Sequence, residues 1–150
     1  MNDSGQNFID FCRRRFGIAE KHWEDYRFQV NARSVYLLAK STDIDLDWEC
    51  EARGFRAGRR TSHSFKPGNR FVQLVGDAIR KNKIELTAEE FKKLLKRENI
   101  KTADKAQQRG YVALFFQGFA IGCGFWTGEE LRTQMSKSIC AEFPREIFET

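Results

Sequence analysis

The chain has 150 residues, 41% of them hydrophobic and 14 of them Phe, with a formal net charge of +5 at pH 7. This size and composition predict one domain, or two very small ones, with a buried core, and exclude an intrinsically disordered chain. No apolar run is long enough to cross a bilayer, and acids and amides stand where a secretion signal needs an apolar core, so we expect a cytoplasmic protein.

The first part of the sequence predicts a helix followed by two strands. Asp3 or Ser4 can cap a helix that runs to about Phe16 and carries an apolar stripe. The stretch HWEDYRF adds a short helix or a turn, and RFQVNARSVYLLAKS is typical of two short strands. We expect the strands to be joined at Asn31, because Asn tolerates the left-handed backbone that a tight turn requires.

The next part predicts a third strand, a loop and a second helix. LDWECEARGFRA alternates as a strand does, and GRRTSHS has the composition of a loop. Pro67 stands where a helix can begin, and Phe71, Leu74 and Val75 follow at helical spacing before Gly76 ends the helix.

The second half begins with a short strand, NKIEL, and a well-marked helix. Thr87 and Glu90 form a capping box at the start of TAEEFKKLLKRE, whose acids come first and whose bases come last. The stretch GYVALFFQGFAIGCGFW then predicts a hairpin that turns at Gln117-Gly118, followed by a TGEE turn and the strand LRTQMS. Because YVALFF is apolar on both faces, we expect a central strand that is covered on both sides.

The second strand of this hairpin, GFAIGCGFW, carries three glycines in nine positions. Simple alternation predicts that Phe119, Ile121, Cys123 and Phe125 point one way and that Ala120, Gly122, Gly124 and Trp126 point the other. Glycine inside a strand allows a close approach, either by another part of the chain or by a ligand. We favour packing within the chain for Gly122 and Gly124.

Positive charge is concentrated in one segment. From Ala52 to Gly76 there is no Asp or Glu, whereas six of the 26 Lys and Arg lie there, leaving 20 against 21 acids in the rest of the chain. Such a concentration is typical of a protein that binds a polyanion. The alternative is a solvated sheet edge that its charges protect from mispairing.

The second half resembles a PUA domain, the small RNA-binding pseudo-barrel, through NKIELTAEEFKKLLKRENI and GYVALFFQGFAIGCGFWTGEELRTQMSKS. It is most similar to the PUA domain of RsmF-type ribosomal and transfer RNA cytosine-C5 methyltransferases and related ribosome-biogenesis factors. The first half resembles the small domain that precedes PUA in those proteins. The resemblance implies an α+β fold, with a small N-terminal α/β domain (residues 1–76) packed on a C-terminal PUA-like β pseudo-barrel (residues 77–150).

The resemblance also implies that RNA contacts the PUA helix, the loop after it and the last strand. Those places hold Lys92, Lys93, Lys96, Arg97, Lys101, Lys105, Arg109 and Lys137. The family usually has a glycine just after the helix, whereas this sequence has Arg97, Glu98 and Asn99 there. It also has few basic residues after the last strand, where related proteins often have a basic cluster. We therefore expect the basic segment to carry more of the binding. The predicted RNA-binding residues are Arg53, Arg56, Arg59, Arg60, Lys66, Arg70, Lys92, Lys96, Arg97, Lys101 and Lys137.

Two groups of these residues have simpler alternatives. The lysines near the end of the PUA-like helix also complement the helix dipole. Four aromatic residues can stack on bases, although packing in the core or at its rim is the commoner role: Trp23, Tyr26, Trp48 and Trp126.

The residues give little support to catalysis, so we expect no enzyme activity, no cofactor and no metal. A methyltransferase needs a doubly wound domain with a glycine-rich cofactor loop, which this sequence does not contain. The four cysteines have no paired spacing and are expected to be reduced: Cys12, Cys50, Cys123 and Cys140. His22 and His63 do not have the sequence spacing of zinc ligands. The acids Asp43, Asp45, Asp47 and Glu49 are expected to be divided between two faces of a strand.

Taken together, the sequence predicts a non-catalytic protein that binds structured ribosomal or transfer RNA in ribosome maturation or RNA modification. One alternative is an accessory RNA-recognition subunit of a separate RNA cytosine-C5 methyltransferase. Another is a protein-interaction module in ribosome biogenesis.

Overall fold

The fold is a mixed α+β arrangement, seen in a computed structural model that describes residues 3–39, 55–101 and 107–143. The helices are α1 (Asp3–Phe16), α2 (Asn69–Val75), α3 (Ala88–Leu95) and α4 (Lys137–Ala141), with 3₁₀ turns at Glu20–Trp23 and Gly76–Ala78. The strands are β1 (Tyr26–Val30), β2 (Ser34–Ala39), β3 (Phe55–Arg60), β4 (Phe65–Pro67), β5 (Lys83–Glu85), β6 (Ile100–Lys101), β7 (Gly110–Phe116), β8 (Phe119–Trp126) and β9 (Glu130–Thr133).

Strands β1 to β4 form an antiparallel sheet in chain order, and α1 packs on one of its faces. The predicted first helix and the first strand pair are confirmed. The expected left-handed Asn31 is wrong, because its φ is not positive. The Asn31 side chain makes the turn instead: its Oδ1 accepts hydrogen bonds from the amides of Arg33 (2.9 Å) and Ser34 (2.8 Å), which is an Asx turn.

Three expectations between residues 46 and 76 need correction. The segment Gly58–Arg60, predicted as loop, completes β3, because it pairs with Phe65–Pro67. Pro67 therefore ends β4 and does not begin α2, which starts after Gly68. Leu74 is 60% exposed, since α2 buries Phe71, Val72 and Val75 instead. Residues 46–54 of the predicted third strand lie outside the described residues.

The second sheet has the order β5-β7-β8-β9-β6 and confirms the predicted strand NKIEL, the hairpin at Gln117-Gly118 and the strand after the TGEE turn. The capping box at the start of α3 is also confirmed, with reciprocal hydrogen bonds between Thr87 and Glu90. All five strands and α3 contribute side chains to one core, so the sheet curls around that core. Among the described strands no ladder joins β5 to β6, so the sheet is a curled half-barrel, consistent with a PUA-like pseudo-barrel.

Strand β7 is covered on both faces, as predicted, and separates two hydrophobic cores. Its residues Ala113 and Phe115 pack in a core with α1, α2 and the first sheet, which we call the junction core. Its residues Val112, Leu114 and Phe116 pack in a core with α3, which we call the barrel core. The junction core joins residues from both sides of the boundary predicted at residue 76. The boundary itself stays a prediction.

Strand β8 departs from simple alternation at one residue. A β-bulge lies opposite Leu114 and Phe115, which pair with Gly122 and Ala120, so Ile121 has no partner in the register. As a result Ile121 packs in the barrel core, whereas Cys123 packs in the junction core. The expectation that these two side chains share a face is therefore wrong.

Helix α2 docks directly on the backbone of β8. The Asn69 side chain accepts a hydrogen bond from the Cys123 amide (2.8 Å) and donates one to the Gln134 carbonyl (3.1 Å). The Gln73 side chain donates to the Ile121 carbonyl (2.9 Å). The ladder between β8 and β9 ends at Gly124. These side chains therefore satisfy backbone groups that β9 does not reach.

The glycines of β8 make room for this docking and for the barrel core. A Cβ at Gly122 would lie 2.7 Å from Cγ of Met135 and 3.0 Å from Oδ1 of Asn69. A Cβ at Gly124 would lie 2.9 Å from a methyl group of Leu131. The packing interpretation of these strand glycines is confirmed.

Arg15 makes a second connection between α1 and the start of β7. Its guanidinium donates to the backbone carbonyls of Tyr111 (2.5 Å), Gln108 (2.7 Å) and Arg109 (3.2 Å). The side-chain amide of the buried Asn82 donates a hydrogen bond to the backbone carbonyl of Arg15 (2.6 Å). None of the helices in the described segments has the length and hydropathy that crossing a membrane would require.

The fold predicts a large difference between two Leu to Ala substitutions. Leu114→Ala should lower the free energy of unfolding by about 2–5 kcal/mol, because the fully buried side chain leaves a cavity between β7 and α3. The control Leu74→Ala, on the exposed face of α2, should change it by less than about 0.5 kcal/mol. Urea denaturation of both variants measures this, and equal losses would contradict the arrangement.

Candidate functional site

A basic groove lies where the first sheet meets the second half of the chain. Its volume is about 390 Å³, and its walls come from β3, β4, the start of α2 and the segment 134–139. We call it the junction groove. It gathers four of the predicted RNA-binding residues together with polar and apolar neighbours: Arg56, Arg59, Lys66 and Arg70, with Asn69, Gln134 and Ile139.

The strand pairing explains why these cations converge. Arg59 lies opposite Lys66 in the β3–β4 ladder, so both side chains leave the sheet on the same face. Arg56 lies three residues before Arg59, but a register shift between the two brings it to the same groove. A Cβ on Gly58 would collide with the Lys66 carbonyl oxygen, so the floor of the groove requires glycine there.

The cations of the groove are poorly compensated. Within the described part of the chain, no carboxylate forms a salt bridge with Arg56, Arg59 or Lys66. Burial lowers the pKa of Lys66, and the positive charge of Arg59 lowers it further, against an opposing effect of Cys123. An anion in the groove would relieve this repulsion.

Arg70 differs from its neighbours because it already has a partner. Its guanidinium forms a salt bridge with Glu142, which follows α4, and both side chains are about half exposed (52% and 46%). An exposed pair of this kind contributes little to stability. Glu142 is therefore the carboxylate that an incoming anion would compete with for Arg70.

The predicted basic segment does not form one surface. Arg60 lies on the opposite face of β3 from Arg59 and lines a different groove. Arg53 lies outside the described residues, as do Cys50, Trp48, Lys105 and the acids between residues 43 and 49. The structure therefore brings four of the six predicted residues of this segment together and places one elsewhere.

The predicted residues of the PUA-like helix and its surroundings are solvent-exposed: Lys92, Lys96, Arg97, Lys101 and Lys137. Arg97 occupies the position that closes α3. Its amide donates to the Leu94 carbonyl (2.9 Å) and the Glu98 amide donates to the Lys93 carbonyl (2.9 Å), which is a Schellman motif. The motif needs a left-handed residue, and Arg97 adopts φ +64° where glycine is usual.

The Arg97 side chain connects α3 to the junction groove. Its guanidinium donates to the Met135 carbonyl (2.5 Å). Met135 lies between Gln134 and Ile139, which both line the groove. The segment 134–139 is thus bordered by the cations of the first sheet on one side and by the end of α3 on the other.

The aromatic and cysteine side chains of the described residues are mostly structural. Trp23 and Trp126 are buried, which confirms packing, whereas Tyr26 is 43% exposed. Burial raises the pKa of Cys12 and raises that of Cys123 to about 12, so both thiols stay protonated and are poor nucleophiles. Among the residues that can be described, no three His, Cys, Asp or Glu side chains cluster as metal ligands would.

Sequence reasoning missed three residues that shape the groove. Asn69, Gln134 and Ile139 carry no charge, and the last two come from a segment that is more than 60 positions away in the sequence from β3. The one available signal was the polar pair Asn69 and Gln73, which lie four residues apart on a helix that buries three apolar side chains.

Comparison with known proteins bears on the second half of the chain. Residues 81–138 match the family described as the methyltransferase RsmF PUA domain. Over 88 residues the chain is 28% identical to the ribosomal RNA small subunit methyltransferase F of Psychromonas ingrahamii. The aligned residues make up 59% of this chain and 18% of that protein. The chain thus spans less than a fifth of the length of that relative. Residues 81–138 are thus similar to the PUA domain of RsmF, which confirms the resemblance that the sequence predicted.

Proposed function

We propose that the chain is a non-catalytic RNA-binding protein that acts on structured ribosomal or transfer RNA in ribosome maturation or RNA modification. The junction groove carries this proposal, because it gathers four cations next to the segment that is similar to a PUA domain. Three of these cations have no carboxylate partner within the described residues, and the fourth, Arg70, pairs with the half-exposed Glu142. Its proposed ligand is the phosphate backbone of RNA.

The chemistry of the groove suits phosphodiesters. Arginine side chains present several donors in a fixed fork that matches phosphate oxygens, and Lys66 adds a compact charge. Binding of a phosphate would offset the mutual repulsion of Arg59 and Lys66 and would favour the charged form of Lys66. The side-chain amide of Gln134 adds a neutral polar group to the wall of the groove.

The non-catalytic part of the proposal rests on the side chains near the groove. Cys123, whose charge acts on Lys66, is buried and has a raised pKa, so it is a poor nucleophile. The groove-lining side chains are cations, amides and apolar groups, with no carboxylate or histidine among those described.

A second proposal is that the chain is an accessory RNA-recognition subunit of a separate RNA cytosine-C5 methyltransferase. The relative from Psychromonas ingrahamii favours it, since this chain matches only a small part of a protein named as a methyltransferase. Purification of the tagged chain before and after nuclease treatment distinguishes the proposals. A methyltransferase that stays bound after nuclease favours the subunit, and one that is released together with RNA favours independent binding.

The direct test of the groove is the salt dependence of RNA binding. Arg56→Gln combined with Arg59→Gln should flatten the log–log slope of affinity against salt concentration by about one to two units. The reason is that each lost phosphate contact reduces the magnitude of this slope by about 0.7 to 0.9. Fluorescence anisotropy with transfer RNA and with a small-subunit ribosomal RNA fragment measures the slope.

Two further variants serve as controls. Lys21→Gln with Lys81→Gln removes the same charge from exposed positions that do not line the groove, and should leave the slope within error of the parent. Glu142→Gln frees Arg70 and should strengthen binding. Binding in the groove would be contradicted if the Arg56/Arg59 variant kept the salt slope of the parent protein, or if Glu142→Gln did not raise the affinity for RNA.

The pKa of Lys66 makes a separate prediction about pH. Its pKa is lowered in the free protein, and bound phosphates should raise it, so complex formation takes up a proton at alkaline pH. Affinity should therefore fall as pH rises through the free-protein pKa of Lys66. Lys66→Arg should remove this dependence, because arginine does not titrate in that range. Titrations with 2′-O-methyl RNA, which resists alkaline cleavage, measure it, and identical pH profiles would disprove a contact with Lys66.

A further inference from the structure

A second basic groove lies on the other face of β3, between α1 and the turn at residues 61–64. Its volume is about 510 Å³, and its basic side chains are Arg13 and Arg14 of α1 and Arg60 of β3. We propose that this helix-side groove binds a phosphodiester of the same RNA that occupies the junction groove, an inference that rests on the proposed function. RNA would then cross the β3–β4 turn and contact both faces of the strand.

The alternation of β3 places the two grooves on opposite faces. Arg59 pairs with Lys66, and the next residue, Arg60, pairs with Phe65. The Phe65 ring packs against Phe8 of α1 (ring centroids 5.2 Å apart), so the face that carries Arg60 is the face that α1 covers. The β3–β4 turn lies between the two faces at the end of the ladder.

The helix dipole does not account for the whole cluster. Arg13 and Arg14 lie in the last turn of α1, where positive charge is favourable in any helix. Arg60 belongs to a strand, so the dipole of α1 gives no reason for its position. The Arg60 side chain forms no salt bridge within the described residues. Arg14 donates one long hydrogen bond, of 3.4 Å, to the backbone carbonyl of Asp10.

Asp10 is the one carboxylate among the described residues that line this groove. It pairs with Arg13 (3.1 Å) and also accepts a hydrogen bond from Gln6 (3.1 Å). Three arginines therefore face a single acid, so the lining keeps a positive excess. Asp10 therefore pairs with Arg13 in this groove as Glu142 pairs with Arg70 in the junction groove.

The turn between the grooves is ordered and hydrophilic. The Thr61 amide donates to the Ser64 carbonyl (2.9 Å), and the Ser64 amide donates to the Thr61 hydroxyl (3.0 Å). Ser62 and His63 are exposed at the tip and line the helix-side groove. A polar turn with fixed geometry lets a phosphate backbone pass from one groove to the other without burying apolar surface.

The test compares two double variants on the same transfer RNA probe. Arg14→Gln with Arg60→Gln should flatten the salt slope of affinity by about one to two units, as the Arg56/Arg59 pair does. The four changes together should flatten it by about the sum, because both grooves contact one RNA. Asp10→Asn should raise affinity, a gain that cannot come from partial unfolding. Thermal melts confirm that each variant is folded.

The outcomes separate this inference from the proposed function. The Arg56/Arg59 variant can show a flatter salt slope while the Arg14/Arg60 and Asp10 variants bind RNA as the parent protein does. In that case RNA does not use the helix-side groove, and the proposal for the junction groove is still supported. If the parent shows no salt-dependent binding to RNA, both proposals fail. If the Arg14/Arg60 variant loses slope and Asp10→Asn gains affinity, the second groove is supported.

Discussion

The docking of α2 on the backbone of β8 is the interaction on which the rest of the structure depends. Asn69 bridges the Cys123 amide and the Gln134 carbonyl, and Gln73 reaches the Ile121 carbonyl. These bonds require the helix to lie closer than side chains on β8 would permit, which explains glycine at position 122. Because buried backbone groups must be paired, the docking also sets the position of the first sheet relative to the half-barrel.

The junction groove follows from this docking. Its cations lie on β3, β4 and α2, but its far wall is the segment 134–139, which Asn69 holds through the Gln134 carbonyl. Neither half of the chain would make the groove alone. The electrostatics point the same way, since the cations lack carboxylate partners within the described residues except for Arg70, whose partner is exposed and replaceable. A structural ion-pair network would have the opposite character, with each buried cation paired.

Sequence reasoning succeeded where the signal is local. The capping box of α3 and the hairpin at Gln117-Gly118 depend on residues within a few positions of each other, and both are confirmed. It failed where pairing with distant residues decides the outcome: the bulge at Ile121 depends on β7, and Pro67 is in a strand because of β3. For the site, the excess of charge between residues 52 and 76 was visible. The division of that charge between two faces was not, because it needs the exact register of β3.

Chemical-shift mapping is the most direct test of the central claim that RNA binds across the junction of the two halves. In titrations with transfer RNA, the largest amide shifts should fall in residues 56–70 and 134–139 together. Shifts confined to either stretch alone would mean that only one half contacts RNA. Shifts concentrated instead around the hairpin tip at Gln117-Gly118, which lies in neither stretch, would contradict the account.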